Sequence, residues 1–286
     1  MIVSIKSNAK INMGLNIIEK LPNGYHSLDM IMVPISLADT IDINFKEKKG
    51  NLKISSNKDS IPTDERNILW KIYDAFYKYT NIEKEEIDIY LNKVVPHEAG
   101  LGGGSSNGAF FLKELNKFHS YILSDEDMIN IGKSVGADIP FFIKNYPCRV
   151  KGIGENLERI ENNLDCGIIL IKPDFGVSTK EAYSLYSSIK NIKNANIDTI
   201  IENMKVGNIK EVEKYLENVL EQGLLISNEN IRNFRKKLEN ECETRFFMSG
   251  SGSCYYTFCP KEKSVEYIEK LKKVFNNCQL YSCSFL

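Results

Sequence analysis

Pro96-His97-Glu98-Ala99-Gly100-Leu101-Gly102-Gly103-Gly104-Ser105-Ser106-Asn107 joins a strand pattern to a helix pattern. Before it, Ile87 to Leu91 alternates apolar and polar residues. After it, Phe111, Leu112 and Leu115 recur at helical spacing and predict a helix from about Ser105 to Phe118. Glycines at 100 and at 102 to 104 remove side chains where a backbone must approach another group, and they permit φ values that turn successive N–H groups inward. The helix behind would aim its unpaired N–H groups and the positive end of its dipole at the same point. An anion suits such a place, and a triphosphate suits it best. Ser105 and Ser106 would add hydroxyl donors or a magnesium ligand. A flexible turn with no ligand is the competing account, and the strand–loop–helix placement disfavours it.

Two common phosphate loops are excluded. A Walker loop ends in Gly-Lys-Ser or Gly-Lys-Thr, whereas Ser105 follows Gly104 directly. A dinucleotide fingerprint starting at Gly100 needs a glycine where Ser105 stands, and an acidic residue closing a strand near Ser120, where the chain is still helical or turning.

On the N-terminal side of the loop, Ile2 to Lys6, Ala9 to Ile18, Leu28 to Ile35 and Thr40 to Phe45 read as strands of an antiparallel meander, with a turn at Pro22-Asn23-Gly24. Ile68, Leu69, Ile72, Ala75, Phe76 and Tyr79 predict a helix from Asn67 to about Thr80. On the C-terminal side, Ser124 with Asp127 resembles a capping box and opens a helix to about Val135. A second half begins near Glu161, so the expected domains are residues 1–160 and 161–286. In that half, Cys166 to Ile171 is a strand. Helical stretches follow at Thr179 to Ile189, Asp198 to Tyr215 in pieces, and Asn228 to Leu238. Strands at Arg245 to Met248 and Cys254 to Phe258 flank Ser249-Gly250-Ser251-Gly252-Ser253. A helix from Lys261 to Phe275 and a strand from Gln279 to Phe285 complete the pattern.

With 37 basic and 38 acidic residues the chain is nearly neutral, so nothing calls for nucleic acid or an anionic membrane as partner. Apolar runs such as Ile168 to Ile171 are far short of a membrane span, and Met1 to Lys10 lacks the apolar core of a signal peptide. The expected location is the cytoplasm. Seven cysteines, an odd number, argue against a disulfide framework. Cys254 with Cys259, and Cys278 with Cys283, are each five positions apart, which points paired thiols to opposite faces of a strand. Buried free thiols are the better account than zinc.

The loop Pro-x-x-x-Gly-Leu-Gly-Gly-Gly-Ser-Ser resembles the ATP loop of the galacto-, homoserine-, mevalonate- and phosphomevalonate-kinase (GHMP kinase) superfamily. Ala9-Lys10-Ile11-Asn12, Asn23-Gly24-Tyr25-His26-Ser27-Leu28 and Gly136-Ala137-Asp138-Ile139-Pro140-Phe141-Phe142 narrow the resemblance to its branch of cytidine-linked methylerythritol kinases. It runs from Ala9 to the Ser249 to Ser253 loop. The resemblance implies an α+β, two-domain GHMP-kinase fold. A ribosomal-protein-S5-like N-terminal domain would hold the ATP loop and catalytic groups, and a ferredoxin-like C-terminal domain would form the substrate side. It also implies ATP as co-substrate, with magnesium expected but no metal ligand assigned. The partner would be a small cytidine diphosphate-linked molecule, and the protein a monomer or weak homodimer.

The same resemblance implies residue roles. Asp138 would be the base and Lys10 the cation, whereas the residues alone favour a turn or cap aspartate and a surface lysine. Pro96, His97, Glu98, Ala99, Gly100, Leu101, Gly102, Gly103, Gly104, Ser105 and Ser106 would hold ATP, with Asn67 near the adenine and Lys93 approaching from the strand before the loop. Tyr25 and His26 would grip the cytidine, with Thr179 and Tyr183 as the other half of that pocket. Asn12 would contact the diol or phosphate. Tyr183 lies one helical turn beyond Thr179, so both can face one ligand; a core tyrosine is the competing reading. Ser249 to Ser253 would close the site or form a plain hairpin turn. Glu98 puts negative charge beside polyphosphate unless it points away, and Gly108 replaces the family's usual alanine. A homoserine or mevalonate kinase is the rival activity, disfavoured by Tyr25-His26. A ligand sensor without catalysis is the rival class, disfavoured by Lys10 together with Asp138.

Overall fold

A computed structural model describes every residue, Met1 to Leu286. The chain forms two compact units, each assembled from separate stretches. The first comprises Met1–Ala9, Ala38–Val95 and Gly102–Tyr146; the second comprises Lys10–Leu37, Pro96–Leu101 and Pro147–Leu286. One cut near residue 160 does not reproduce these units, because the long strands β1 (Ile2–Lys20) and β2 (His26–Lys49) contribute to both. Patterning predicts each as two shorter runs. Within β1, Gly14 takes φ +87° where a Cβ would lie 3.0 Å from Ala195 Cβ, so the glycine keeps a tightly packed strand continuous. Pro34 interrupts the β2 pattern, yet its carbonyl accepts from Leu286 N–H at 3.2 Å and Ser36 N–H reaches Ser284 at 2.9 Å, which holds the backbone extended.

In the first unit, β3 (Leu52–Ser56) pairs parallel with β4 (Glu85–Asn92), and β4 pairs antiparallel with residues 40–49 of β2. β3 is a short edge strand with a single fully buried residue, Leu52, so it leaves almost no alternation to read. The helices are α1 (Ile68–Thr80), α2 (Gly103–Phe118), α3 (Asp125–Val135) and α4 (Ile139–Lys144). The Ser124–Asp127 capping box at α3 is present in both directions. α4 spans six residues, too few for a helical period to show. Ile41, Ile43 and Phe45 from β2 are buried in the core, as are Ile72 and Phe76 from α1 and Phe111 and Leu115 from α2. Removing such side chains from water is the main driving force here.

In the second unit, residues 28–32 of β2 pair with β5 (Cys148–Gly152), which turns back into β6 (Asn156–Arg159). A second sheet comprises β7 (Gly167–Lys172), β8 (Phe247–Met248), β9 (Tyr255–Cys259) and β10 (Gln279–Cys283). Its order is β10-β7-β9-β8, antiparallel throughout. Counting these strands 1 to 4 gives 4-1-3-2, the split β-α-β arrangement of a ferredoxin-like fold. Between β7 and β8 run α5 (Thr179–Ser184), α6 (Ile197–Val206), α7 (Ile209–Tyr215), α8 (Val219–Ser227) and α9 (Glu229–Glu241). α10 (Ser264–Val274) joins β9 to β10. α8 is absent from the sequence reading because Val219, Leu220, Leu224, Leu225 and Ile226 crowd its faces and blur the period. All seven cysteines are free, and burial pushes the thiols of Cys166 and Cys283 up to about 12. No helix is long and apolar enough to cross a membrane.

Candidate active site

The glycine loop is divided between the units: Pro96–Leu101 belongs to the second and Gly102 onward to the first. In the first unit, Gly102 is the N-cap of α2, in the left-handed region at φ +69°. Only glycine adopts this conformation readily, and it carries no side chain to cap the helix. The first helical bond runs from Ser106 N–H to Gly102 C=O at 2.9 Å, so the N–H groups of Gly103, Gly104 and Ser105 precede the ladder. No acidic residue lies in the first turn to offset the dipole. Gly104 is exposed, and a Cβ there would meet nothing within 4 Å. Helix α2 thus begins two residues before its predicted start, with the glycines forming its first turn.

Ser105 is half-buried, but Ser106 is fully buried and its hydroxyl donates to Asn8 C=O at 2.6 Å. The expected donor role therefore does not suit Ser106, whose hydrogen goes to Asn8 of β1, and as a magnesium ligand its fully buried oxygen would first have to be uncovered. Lys93 is also buried. Its ammonium bonds Asp39 and, at 3.1 Å, Asn107 Oδ1. Asp39, fully buried, also accepts the N–H groups of Val94 at 2.7 Å and Val95 at 2.8 Å, and Asn107 Nδ2 at 2.9 Å. This carboxylate ties the end of β4 to the first turns of α2, and its four bonds compensate its desolvation. Lys93 lies close under Gly103, where a Cβ would sit 3.2 Å from its Nζ. Asn67 caps α1: its Oδ1 accepts Leu69 N–H at 2.9 Å and its Nδ2 donates to Pro62 C=O at 2.6 Å. Asp138 occupies the N-cap position of α4, half-buried, and its carboxylate makes no cap hydrogen bond.

In the second unit, Lys10 is 4% exposed, not a surface lysine. Its Nζ bonds Asn12 Oδ1 at 2.5 Å and Gly100 C=O at 2.9 Å, and its backbone N–H bonds Leu101 C=O at 3.0 Å. Asn12 is buried beside it, with its N–H donated to Ser249 Oγ at 3.3 Å and its Nδ2 to Met30 Sδ at 3.2 Å. Ser249 Oγ in turn donates to Gly100 C=O at 2.9 Å. The Ser249–Ser253 loop therefore does more than turn the chain. Ser253 N–H bonds Glu98 C=O at 3.1 Å, and Cys254 N–H bonds Ala99 C=O at 3.3 Å. At Gly100, with φ +70°, a Cβ would stand 1.9 Å from Ser249 C=O, so nothing but glycine fits. Pro96 is half-buried, and Ala99 and Leu101 are buried. His97 and Glu98 are exposed, and the Glu98 carboxylate lies against Gly176.

His26 and Tyr183, far apart in sequence, stack with ring centroids 5.2 Å apart, and Tyr186 meets His26 edge-on at 5.7 Å. Burial chiefly, and Lys20 secondarily, hold the His26 imidazole below its ordinary pKa, so it is neutral at neutral pH with one donor and one acceptor. Tyr183 is half-buried, so the core-tyrosine alternative does not describe it. Tyr25 is 61% exposed beside this pair, its N–H held by Asn23 Oδ1 at 3.1 Å. Thr179 bonds the Ser251 hydroxyl at 3.1 Å. Sequence reasoning missed Asp39, Ser249 as a ligand of Gly100, and Tyr186. Asp39 carried one legible signal, a carboxylate set between the apolar Leu37-Ala38 and a strand run.

Residues 67–145 match the family described as GHMP kinases N terminal domain, and residues 200–277 match GHMP kinases C terminal. A Fusobacterium nucleatum protein named 4-diphosphocytidyl-2-C-methyl-D-erythritol kinase is 48% identical over 281 residues, covering 98% of this chain and 96% of that protein. A Clostridium acetobutylicum protein of the same name is 36% identical over 275 residues, covering 96% and 97%. A crystal structure of 4-(cytidine 5'-diphospho)-2C-methyl-D-erythritol kinase superposes with TM-score 0.81 at 21% identity, covering 99% of both chains. Homoserine kinase from Cytophaga hutchinsonii superposes with TM-score 0.73 at 16% identity, covering 99% and 95%. These two structures speak to the fold alone.

Proposed function

We propose the reaction from the premise that this chain belongs to the 4-diphosphocytidyl-2-C-methyl-D-erythritol kinase family of the GHMP kinases. It is an ATP-dependent small-molecule kinase of non-mevalonate isoprenoid synthesis, acting on the 2-hydroxyl of the methylerythritol unit. The acceptor oxygen attacks the γ-phosphorus, the bond to the bridging oxygen breaks, and ADP leaves. The acceptor proton passes to Asp138, and Lys10 stabilises negative charge on the acceptor or the phosphoryl group. The start of α2 and the loop before it cradle the phosphates. Lys93 supports that cradle through Asp39 and Asn107, and Asn67 frames the adenine side through the cap of α1. Magnesium arrives with ATP as part of the substrate. We place the protein in the cytoplasm as a monomer or weak homodimer.

The observation that carries the choice of acceptor is the stack of Tyr183 on neutral His26, with Tyr25 exposed beside it. An aromatic wall with one imidazole donor and one acceptor suits a pyrimidine ring, and neither homoserine nor mevalonate has a ring to stack. ADP release measured against the cytidine-linked acceptor, homoserine and mevalonate tests the reading. Turnover is expected with the first alone. Turnover with homoserine or mevalonate instead would make this another kinase of the superfamily, and no turnover with any of them would leave a ligand sensor.

A further inference from the structure

Asn218, the N-cap of α8, is 7% exposed, and its side chain is fully committed. Its Oδ1 accepts the N–H groups of Leu220 at 3.0 Å and Glu221 at 3.4 Å. Its Nδ2 donates to the carbonyls of Met248, at the end of β8, at 2.9 Å and of Gly250, in the Gly/Ser loop, at 2.8 Å. The backbone beside it is anchored too: Asn218 bridges Leu15 of β1, and Leu15 N–H bonds Glu217 C=O at 2.9 Å. One residue thus connects the strand that carries Lys10 and Asn12, the start of α8, and the Gly/Ser loop.

The loop has a demanding task. Ser249 bonds both Gly100 C=O and Asn12 N–H. Gly250 runs so close that a Cβ would lie 3.0 Å from Asn12 Oδ1 and 3.2 Å from Lys10 Nζ. Gly250 and Gly252 both have positive φ, so the segment has little stiffness of its own. A cap alone would not require asparagine, because serine and aspartate cap a helix as well. Only the carboxamide offers a cap acceptor and two donors at once.

We propose that Asn218 is a positioning residue for phosphoryl transfer: by holding the carbonyls of Met248 and Gly250 it presses the Gly/Ser loop against Asn12 and Gly100, and so sets where the Lys10 ammonium stands. This rests on the catalytic role of Lys10 given above.

Asn218→Ser separates clamp from cap, since the hydroxyl keeps the cap acceptor but replaces the two amide donors with a single O–H on a shorter side chain, too few to hold both carbonyls. Asn218→Asp does the same with a carboxylate. Hydrogen exchange should quicken at Ser249 to Cys254 while α8 stays protected. kcat should fall about 10- to 100-fold, the scale of an ångström-size misplacement, with a smaller change in KM for the acceptor. Lys10→Ala made in the Asn218→Ser background should cost little beyond Lys10→Ala alone, because one residue acts through the other. Unchanged exchange in the loop overturns the proposal. So does a loosened loop with the parent's kcat, or losses that simply add. If the parent enzyme turns over another alcohol and not the cytidine-linked one, the function reading fails, and the Asn218 series is run on that alcohol.

Discussion

At the scale of single residues, Asp138 is the sharpest case. An aspartate after Gly136-Ala137 and before Ile139-Pro140 reads as a helix cap, and it does occupy the N-cap position of α4. Its side chain makes no cap bond. Asparagine has the same size and shape and no cap bond is lost, so Asp138→Asn should leave the melting temperature near the parent's. It should lower kcat by about 10²- to 10⁴-fold, the usual contribution of a general base, with little change in the dissociation constants of either substrate. Rapid-quench turnover beside calorimetric binding measures both, and near-parent turnover would remove Asp138 as the base. Lys10 shows the opposite relation between sequence and structure. Nothing local distinguishes it from a surface lysine, and only Asn12 and Gly100, 90 residues away, show it buried and held.

At the scale of elements, the glycine loop was legible and its internal division of labour was not. Placement between strand and helix, the glycine content and the missing Walker lysine are all local, and local sequence carries them. Which glycine serves packing and which leaves room depends on partners far along the chain. Gly100 is pinned by Ser249, whereas Gly104 faces open space. Gly100→Ala should force backbone movement in both loops and cut kcat/KM by about 100-fold or more, with a lower melting temperature. Gly104→Ala should fold like the parent and chiefly raise KM for ATP, because a methyl group would stand where phosphates approach the helix N-terminus. A stable Gly100→Ala enzyme with normal kinetics would refute the packing account. An unchanged KM for ATP in Gly104→Ala would refute the phosphate account. Among the regular elements, α1, α2 and α3 were readable because each is long enough for a helical period or carries a cap signal. β3, β5, β6, α4 and α8 were not, being short, at an edge, or apolar on too many sides.

At the scale of the whole molecule, the two units interleave in sequence. The second unit draws on Lys10–Leu37 and Pro96–Leu101 as well as the C-terminal half. Tyr256 donates to Asn12 C=O at 2.8 Å, and Ile35 bridges Phe285, so the C-terminal sheet is tied to those early residues. A fragment of residues 161–286 would leave these groups and the apolar contacts of Gly14 with Ile197 and Ile200 unmatched. It should therefore melt broadly or be proteolysed rapidly. A sharp, cooperative melt of that fragment would show that the four-stranded sheet and its helices suffice alone.

By itself the sequence determined a glycine-rich loop between strand and helix, the order of most strands and helices, and, through the family's motifs, the kinase class. These properties depend on residue type at short spacing: glycine where φ is positive, apolar residues at period 2 or 3.6, a cap before a helix. Only the tertiary structure decided that Lys93 answers to Asp39, that Ser106 is spent on Asn8, that His26 meets Tyr183, and that Asn218 holds the Gly/Ser loop. Each of these pairs is separated by tens to hundreds of positions. Hydrogen bonds and ring contacts at such separations follow from which surfaces hydrophobic burial brings together, and no local pattern encodes that.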